Sequence, residues 1–427
     1  MRISNFIHSL TKNQNFRHGV LYTIFSFINS GFSFILVLIL AKFLPPYEYG
    51  QLNLFTTFVT FVNIIIPLCT VSYITVSFFQ RAKIIVRQII TTALGTTTLM
   101  LGLLSVLLVL FPHFFERCLG FPLADICFGL LICYFQVFYT LNLDIWRLEE
   151  QPVRYGIFSL SFAICNFILT FALIVSYKLG WEGRIYAWFL LGLLYFVISI
   201  VFLIKRNYFH LSIPPFSLIK ETLVYAIPLV PHSLSFWLKQ GMDRYIINYF
   251  HEPSAVGYFS FAMNIAAIIS IIGTAFNATN SVYLYKQLSL GYNNVKYTLR
   301  KQAILMTLVF FTVSVLVAIL AWGIITFIVP QYTMSLQYVL PLTLGAFFQC
   351  IYLLWVNYLF YYKRTTQLMM ITFSTALLQC GLSIWLTRYS PLYTAIISMC
   401  ISGLTVALVV YTSRRTLKLV PVENNAN

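Results

Sequence analysis

Runs of about 20 apolar residues recur along the whole chain, and most charges fall in the short stretches between them. A helix of that length rises about 30 Å, which matches the hydrocarbon thickness of a bilayer. The apolar runs are continuous and lack the alternation of a transmembrane β-barrel, so each is read as a helix that satisfies its own backbone groups in lipid. Of the 427 residues, 60% are hydrophobic and 9% charged, against roughly 25% charged in soluble proteins. No soluble fold of this length has the interior to hide that much apolar surface. The expected fold class is all-α integral membrane.

Twelve spans are expected, near residues 20–41, 53–74, 88–111, 123–143, 157–177 and 185–204, then 227–248, 257–279, 303–329, 336–360, 367–386 and 392–411. An even count returns both termini to one side. Twenty of the 27 basic residues fall on that side, in clusters such as Arg81, Lys83 and Arg87 or Arg300 and Lys301. Five lie opposite (Lys42, Arg117, Lys178, Arg184 and Arg388), and Lys239 and Arg244 fall within the seventh span. This bias places both termini in the cytoplasm. The net charge of +16 is therefore read as membrane topology rather than nucleic-acid binding, and membrane lipids are the expected surroundings. The basic, polar first 18 residues do not read as a cleavable signal peptide.

Eight cysteines are present without a CxxC pair; all but Cys118 lie in apolar runs and are expected to act as small buried filler. No metal, disulfide framework or cofactor is expected.

The two halves resemble each other. Phe43-Leu44-Pro45-Pro46-Tyr47-Glu48-Tyr49-Gly50 closes span one and opens span two, and Phe250 to Gly257 does the same 207 residues later. Phe135, Gln136 and Tyr139 match Phe348, Gln349 and Tyr352 at an offset of 213. These matches predict two six-helix lobes, residues 1–212 and 213–427, related by a parallel pseudo-two-fold along the membrane normal and enclosing a central cavity. That is the architecture of an alternating-access transporter.

Charges within a span cost about 2.5–3.5 kcal/mol at the bilayer centre and call for a reason. The seventh span concentrates them: His232, Phe236, Lys239 and Asp243 share one helix face, with Arg244 just beside it. A cavity-facing stripe that meets an anionic or polar substrate is one reading, and a Lys239–Asp243 ion pair at i, i+4 is the other. Pro228 and Pro231 either loosen this helix as a gate or mark its entry. Asn29, Asn142, Gln349 and Asn357 are candidate polar cavity lining, with interhelical hydrogen bonding as the alternative. The first half is expected to bury no acidic residue in its spans that could serve as a proton or sodium site, and Asp144, Arg147, Glu149 and Glu150 read as a solvated turn or an inner-gate salt bridge. No catalytic constellation or phosphate-cradling loop appears, which argues against an enzyme.

The stretch YAIPLVPHSLSFWLKQGMDRYIINYFHEPSAVGYFSFAMNIA, Tyr225 to Ala266, resembles the polysaccharide transport family, the Wzx-type O-antigen and capsule flippases of the multidrug/oligosaccharidyl-lipid/polysaccharide (MOP) exporter superfamily. The carrying residues are Pro228, Leu229, Pro231, His232, Ser233, Asp243, Arg244, Gly257 and Tyr258; Ile39 to Phe55 also looks like the family's first loop. The resemblance implies a flippase of the bacterial cytoplasmic membrane that moves undecaprenyl-pyrophosphate-linked oligosaccharides to the outer leaflet. It further implies that Lys239 and Arg244 meet the pyrophosphate and glycan, and that a polysaccharide polymerase and chain-length proteins are partners. The alternatives are a cation-coupled multidrug exporter of the same superfamily, which would need buried carboxylates, and a membrane glycan polymerase, which would need a long outer loop.

Overall fold

The structure, a computed structural model, describes residues 14–209 and 214–418. These fold into α-helices: α1 (Gln14–Phe43), α2 (Pro46–Ile65), α3 (Val71–Ser77), α4 (Lys83–Leu110), α5 (Pro112–Leu119), α6 (Leu123–Leu148), α7 (Pro152–Phe171) and α8 (Glu182–Lys205). A second series follows: α9 (Phe216–Ala226), α10 (Leu229–Gln240), α11 (Met242–Phe250), α12 (Pro253–Leu288), α13 (Tyr292–Gly323), α14 (Leu336–Tyr361), α15 (Thr365–Leu386) and α16 (Leu392–Lys418).

Ten of the expected spans are helices long and apolar enough to cross a membrane. The second and seventh expected spans are not continuous. Residues 53–74 divide because Pro67 cannot donate to a helical carbonyl and Leu68 and Cys69 take left-handed φ values of 48° and 57°. α2 also starts earlier than expected, at Pro46. Residues 227–248 divide at Gly241, between α10 and α11.

The internal repeat is visible in where helices begin. Pro46 opens α2 and Pro253 opens α12, while Leu123 opens α6 and Leu336 opens α14. Those starts reproduce the sequence offsets of 207 and 213. Packing follows the same register. Cys133 Sγ donates to the Val59 carbonyl at 3.3 Å between α6 and α2, and Cys350 Sγ to the Ile269 carbonyl at 3.4 Å between α14 and α12. Carried back by the two offsets, the second contact falls on positions 137 and 62, one helical turn from the first.

The helices gather into two units. One holds the residues up to Leu44 with Leu54–Leu234, the other Pro45–Asn53 with the residues from Ser235 on. The chain therefore divides inside α2 and α10; the expected boundary at 212/213 lies outside the described residues. In the first unit, α1 lies along α7, with Tyr22 edge-on to Tyr155 at 5.1 Å and Phe32 to Phe167 at 6.0 Å. Trp146, Phe158, Leu191 and Tyr195 form a core between α6, α7 and α8. At the end of α6 the turn is not simply solvated. Glu149 is ion-paired with Arg206 and accepts from the Tyr208 hydroxyl at 2.6 Å, while Arg206 lies over the Trp146 ring at 5.6 Å. Arg147 pairs with Asp144 three residues earlier on the same helix, at 2.7 Å, so that pair is local. Burial pushes the Tyr208 hydroxyl above its ordinary range and lowers the Arg206 guanidinium.

In the second unit, the opening of α2 meets the opening of α12. A Cβ added at Gly50 would lie 1.8 Å from the Pro253 carbonyl oxygen, and one at Gly257 would lie 2.0 Å from that of Pro46. Repeat-related glycines thus meet repeat-related prolines. Tyr49, 1% exposed, packs edge-on against Phe261 at 6.0 Å and Tyr332 at 5.6 Å, and its hydroxyl accepts from Asn264 Nδ2 at 2.8 Å.

The cysteines divide: Cys133 and Cys350 are buried, but Cys118, Cys127, Cys165 and Cys400 are exposed. An apolar span presents one face to lipid, so an apolar neighbourhood in sequence does not fix burial.

Candidate functional site: a polar cavity around Lys239

Four helices of the second unit line a cavity of about 200 Å³ together with Ser235, Phe236, Lys239 and Gln240 of α10. α12 contributes Met263, Ala266, Ala267 and Ser270; α14 contributes Leu342, Gly345, Ala346, Gln349 and Tyr352; α15 contributes Thr372 and Gln379; α16 contributes Ser398, Ser402 and Thr405. Small residues recur at three- and four-residue spacing on α12 and α16, and Gly345 and Ala346 on α14 join them, so these helices turn faces of low bulk toward the cavity. Space results, and its wall sets hydroxyls and amides among apolar side chains such as Phe236, Met263 and Leu342. Lys239 is the one charged side chain among the described lining residues.

The ammonium group of Lys239 donates to Thr375 Oγ1 at 2.8 Å and to Thr405 Oγ1 at 3.3 Å. Both threonines hand their own protons back along their helices, Thr375 to the Ile371 carbonyl and Thr405 to the Ile401 carbonyl, at 2.8 and 2.7 Å. Their oxygens are therefore oriented as acceptors. An ammonium has three N–H groups, and two are engaged with neutral oxygens. The charge is left whole, with one donor remaining for a ligand.

The Lys239–Asp243 ion pair does not form. Gly241 breaks the helix between them, so the i, i+4 geometry is lost. Asp243, 2% exposed, instead accepts from Gln379 Nε2 at 3.0 Å and from Ser383 Oγ at 3.3 Å. The break leaves the last carbonyls of α10 without helical partners, and side chains fill the gap. Cys380 Sγ donates to the Leu238 carbonyl at 3.9 Å, Gln379 Nε2 to that of Lys239 at 3.0 Å, and Arg244 Nη1 to that of Gln240 at 3.2 Å. Arg244 Nε also donates to Ser260 Oγ at 3.0 Å.

Of the expected stripe, then, Phe236 and Lys239 line this cavity, while Asp243 and Arg244 hold the break together. His232 belongs to the first unit and is exposed. Pro228 sits in the two-residue turn between α9 and α10, and Pro231 lies in the first turn of α10, where its missing N–H is one of the orphan donors. Both positions fit a helix entry. Gln349 lines this cavity of the second unit. Asn142 donates to the Phe138 and Ser199 carbonyls at 3.2 and 3.1 Å, and Asn357 to Asn277 Oδ1 at 2.7 Å. Those two amides join helices rather than line this cavity. Asn29 is half-buried, and its amide oxygen has no hydrogen-bond partner among the described residues. The first half does bury a carboxylate: Asp125, in the first turn of α6, is 5% exposed. Sequence reasoning passed over Ser235, Ser270, Thr372, Thr375, Ser398, Ser402 and Thr405. Their signal was the small-polar spacing Ser398, Ser402, Thr405 on one face of α16.

The family described as polysaccharide biosynthesis protein matches the chain over residues 16–283. A protein of the Lsg locus of Haemophilus influenzae is 24% identical over 358 residues, which is 82% of this chain and 85% of that protein. Lipid II flippase MurJ, in an inward closed conformation, superposes with a TM-score of 0.75 at 15% identity, over 92% of this chain and 87% of MurJ. An inward-facing multidrug resistance MATE transporter of the MOP superfamily gives 0.71 at 14% identity, over 91% and 94%. At such identities the two structures establish the fold.

Proposed function

The chain belongs to the polysaccharide biosynthesis protein family, and from that membership we propose that it flips undecaprenyl-pyrophosphate-linked oligosaccharide repeat units. The movement runs from the inner to the outer leaflet of the bacterial cytoplasmic membrane, by alternating access, with both termini in the cytoplasm. The product is a surface polysaccharide of the O-antigen or capsule type, and a polymerase and chain-length proteins act on it afterwards.

The observation that carries this reading is the setting of Lys239. A cation without a carboxylate partner, among hydroxyl and amide groups, attracts a phosphate and offers hydrogen bonds to sugar hydroxyls at one place. A cavity of about 200 Å³ suits a headgroup fragment rather than a whole oligosaccharide. Lys239 accordingly contacts the pyrophosphate or the first sugar, while the lipid tail stays in the bilayer.

The test is genetic and chemical. Deleting the gene abolishes surface glycan and leaves single lipid-linked repeat units on the cytoplasmic leaflet; normal surface glycan in the deletion strain refutes the assignment. Complementation with Lys239→Ala restores protein abundance but not export, and Lys239→Arg restores part of it. A polymerase would leave single units exported and attached, which gel banding of the surface glycan distinguishes.

A further inference from the structure

The repeat relates the Lys239 cavity to a second polar place in the first unit. Ser270 and Gln349 both line the cavity. Carried back by the offsets of 207 and 213, they fall on Asn63 of α2 and Gln136 of α6. In the structure these two side chains meet: Asn63 Nδ2 donates to Gln136 Oε1 at 3.1 Å. The paired thiol contacts Cys133–Val59 and Cys350–Ile269 place the two helix pairs in the same register, so the correspondence rests on packing as well as on sequence.

The chemistry of the two places differs. The first-unit pair carries no charge. Each amide is half-buried, and one hydrogen bond between them uses a fraction of their capacity. Gln136 keeps both Nε2 protons, and Asn63 keeps its Oδ1 acceptor. The Thr140 hydroxyl, one turn along α6, donates to the Gln136 carbonyl at 2.9 Å, which leaves its oxygen as an acceptor. Donors and an acceptor side by side match adjacent hydroxyls on a sugar ring, each of which both gives and takes a hydrogen bond.

We propose that Asn63 and Gln136 form a neutral glycan subsite in the first unit, the repeat-related counterpart of the Lys239 cavity, which binds sugar hydroxyls of the lipid-linked substrate. The inference rests on the flippase reading and adds to it a second contact with a different chemical preference. The alternative for the pair is a staple between α2 and α6.

The experiment replaces Asn63 or Gln136, one at a time, with the photo-crosslinking residue benzoylphenylalanine in the native host. Ser270 serves as the cavity position, and Leu103, 52% exposed on α4, as the lipid-facing control. After irradiation the purified protein is probed for covalently attached glycan with a periodate–hydrazide stain. Glycan attached at positions 63, 136 and 270 but not at 103 supports the subsite. Glycan at 270 without any at 63 or 136 overturns it and leaves the flippase reading standing, whereas glycan at none of the three overturns both. A double variant, Asn63→Leu with Gln136→Leu, adds a second readout, since leucines pack where the amides met. Surface glycan falls about tenfold, the loss of one to two hydrogen bonds, at unchanged protein abundance and unfolding midpoint. A lower midpoint with export unchanged per folded molecule identifies a staple and overturns the proposal.

Discussion

Replacing Gly50 and Gly257 by alanine, singly and together, tests the crossing of α2 and α12. Each new Cβ would sit 1.8 or 2.0 Å from a backbone carbonyl oxygen, whereas ordinary contacts begin at 3.4 Å. The obstacle is the opening turn of a helix, not a side chain that can rotate, so the two helices must retreat by about 1.5 Å along the contact. Retreat loosens Tyr49, 1% exposed, from Phe261 and Tyr332. Overpacking of this kind costs about 1–3 kcal/mol, and each single variant should fall at the upper end, about 3 kcal/mol. The double variant is more informative. One retreat accommodates both methyl groups, so its cost should be about 3–4 kcal/mol rather than the sum of about 6, a coupling within the range found for contacting residues. Equilibrium unfolding in mixed detergent micelles measures all three. Gly102→Ala is the control, because nothing lies within 4 Å of its added Cβ and helix propensity alone should stabilise by about 1 kcal/mol. Single variants as stable as wild type, or a double variant whose cost is the plain sum, would refute the reciprocal crossing.

Three further outcomes are expected. Asp243→Leu strands the donors of Gln379 and Ser383 and should cost about 2 kcal/mol in the same assay, with Asp243→Asn costing less because one acceptor remains; equal stability of both with wild type would show that the carboxylate does not organise the break. Trp146→Ala removes the centre of the α6–α7–α8 core and the ring beneath Arg206, and should cost about 3–5 kcal/mol, read as a collapse of the monodisperse peak in size-exclusion chromatography. In a cysteine-free background, Arg388→Cys should react with an impermeant maleimide in intact spheroplasts and Lys363→Cys after permeabilisation alone; both side chains are exposed, and the reverse pattern would invert the proposed topology.

Ten spans were legible because lipid selects by simple apolar length, and the repeat because Pro46 and Pro253 punctuate equivalent helix starts. The start of α2 was misplaced for the same reason turned around. Residues 46–53, with Glu48, Gln51 and Asn53, are helical in a protein environment, and hydropathy reports only on helices that face lipid. Gly241 gave little warning, since an isolated glycine inside a helical pattern costs only about 1 kcal/mol; the break depends on Gln379 and Cys380, nearly 140 residues away. Lys239 was found through its charge. The hydroxyls around it were not, because serine and threonine occur throughout helical spans, and only three-dimensional convergence separates a lining residue from one bonded to its own backbone.

The interruption at Gly241 also bears on how such a protein diversifies. On one side of it, Ser235, Phe236 and Lys239 face the cavity; on the other, Asp243 and Arg244 are committed to holding carbonyls and neighbouring helices. An unbroken helix would have joined the two sets through a Lys239–Asp243 pair, and every change on the cavity side would have disturbed a structural carboxylate. With the pair separated, the cavity side is open to substitution while the contacts that hold the break together stay as they are.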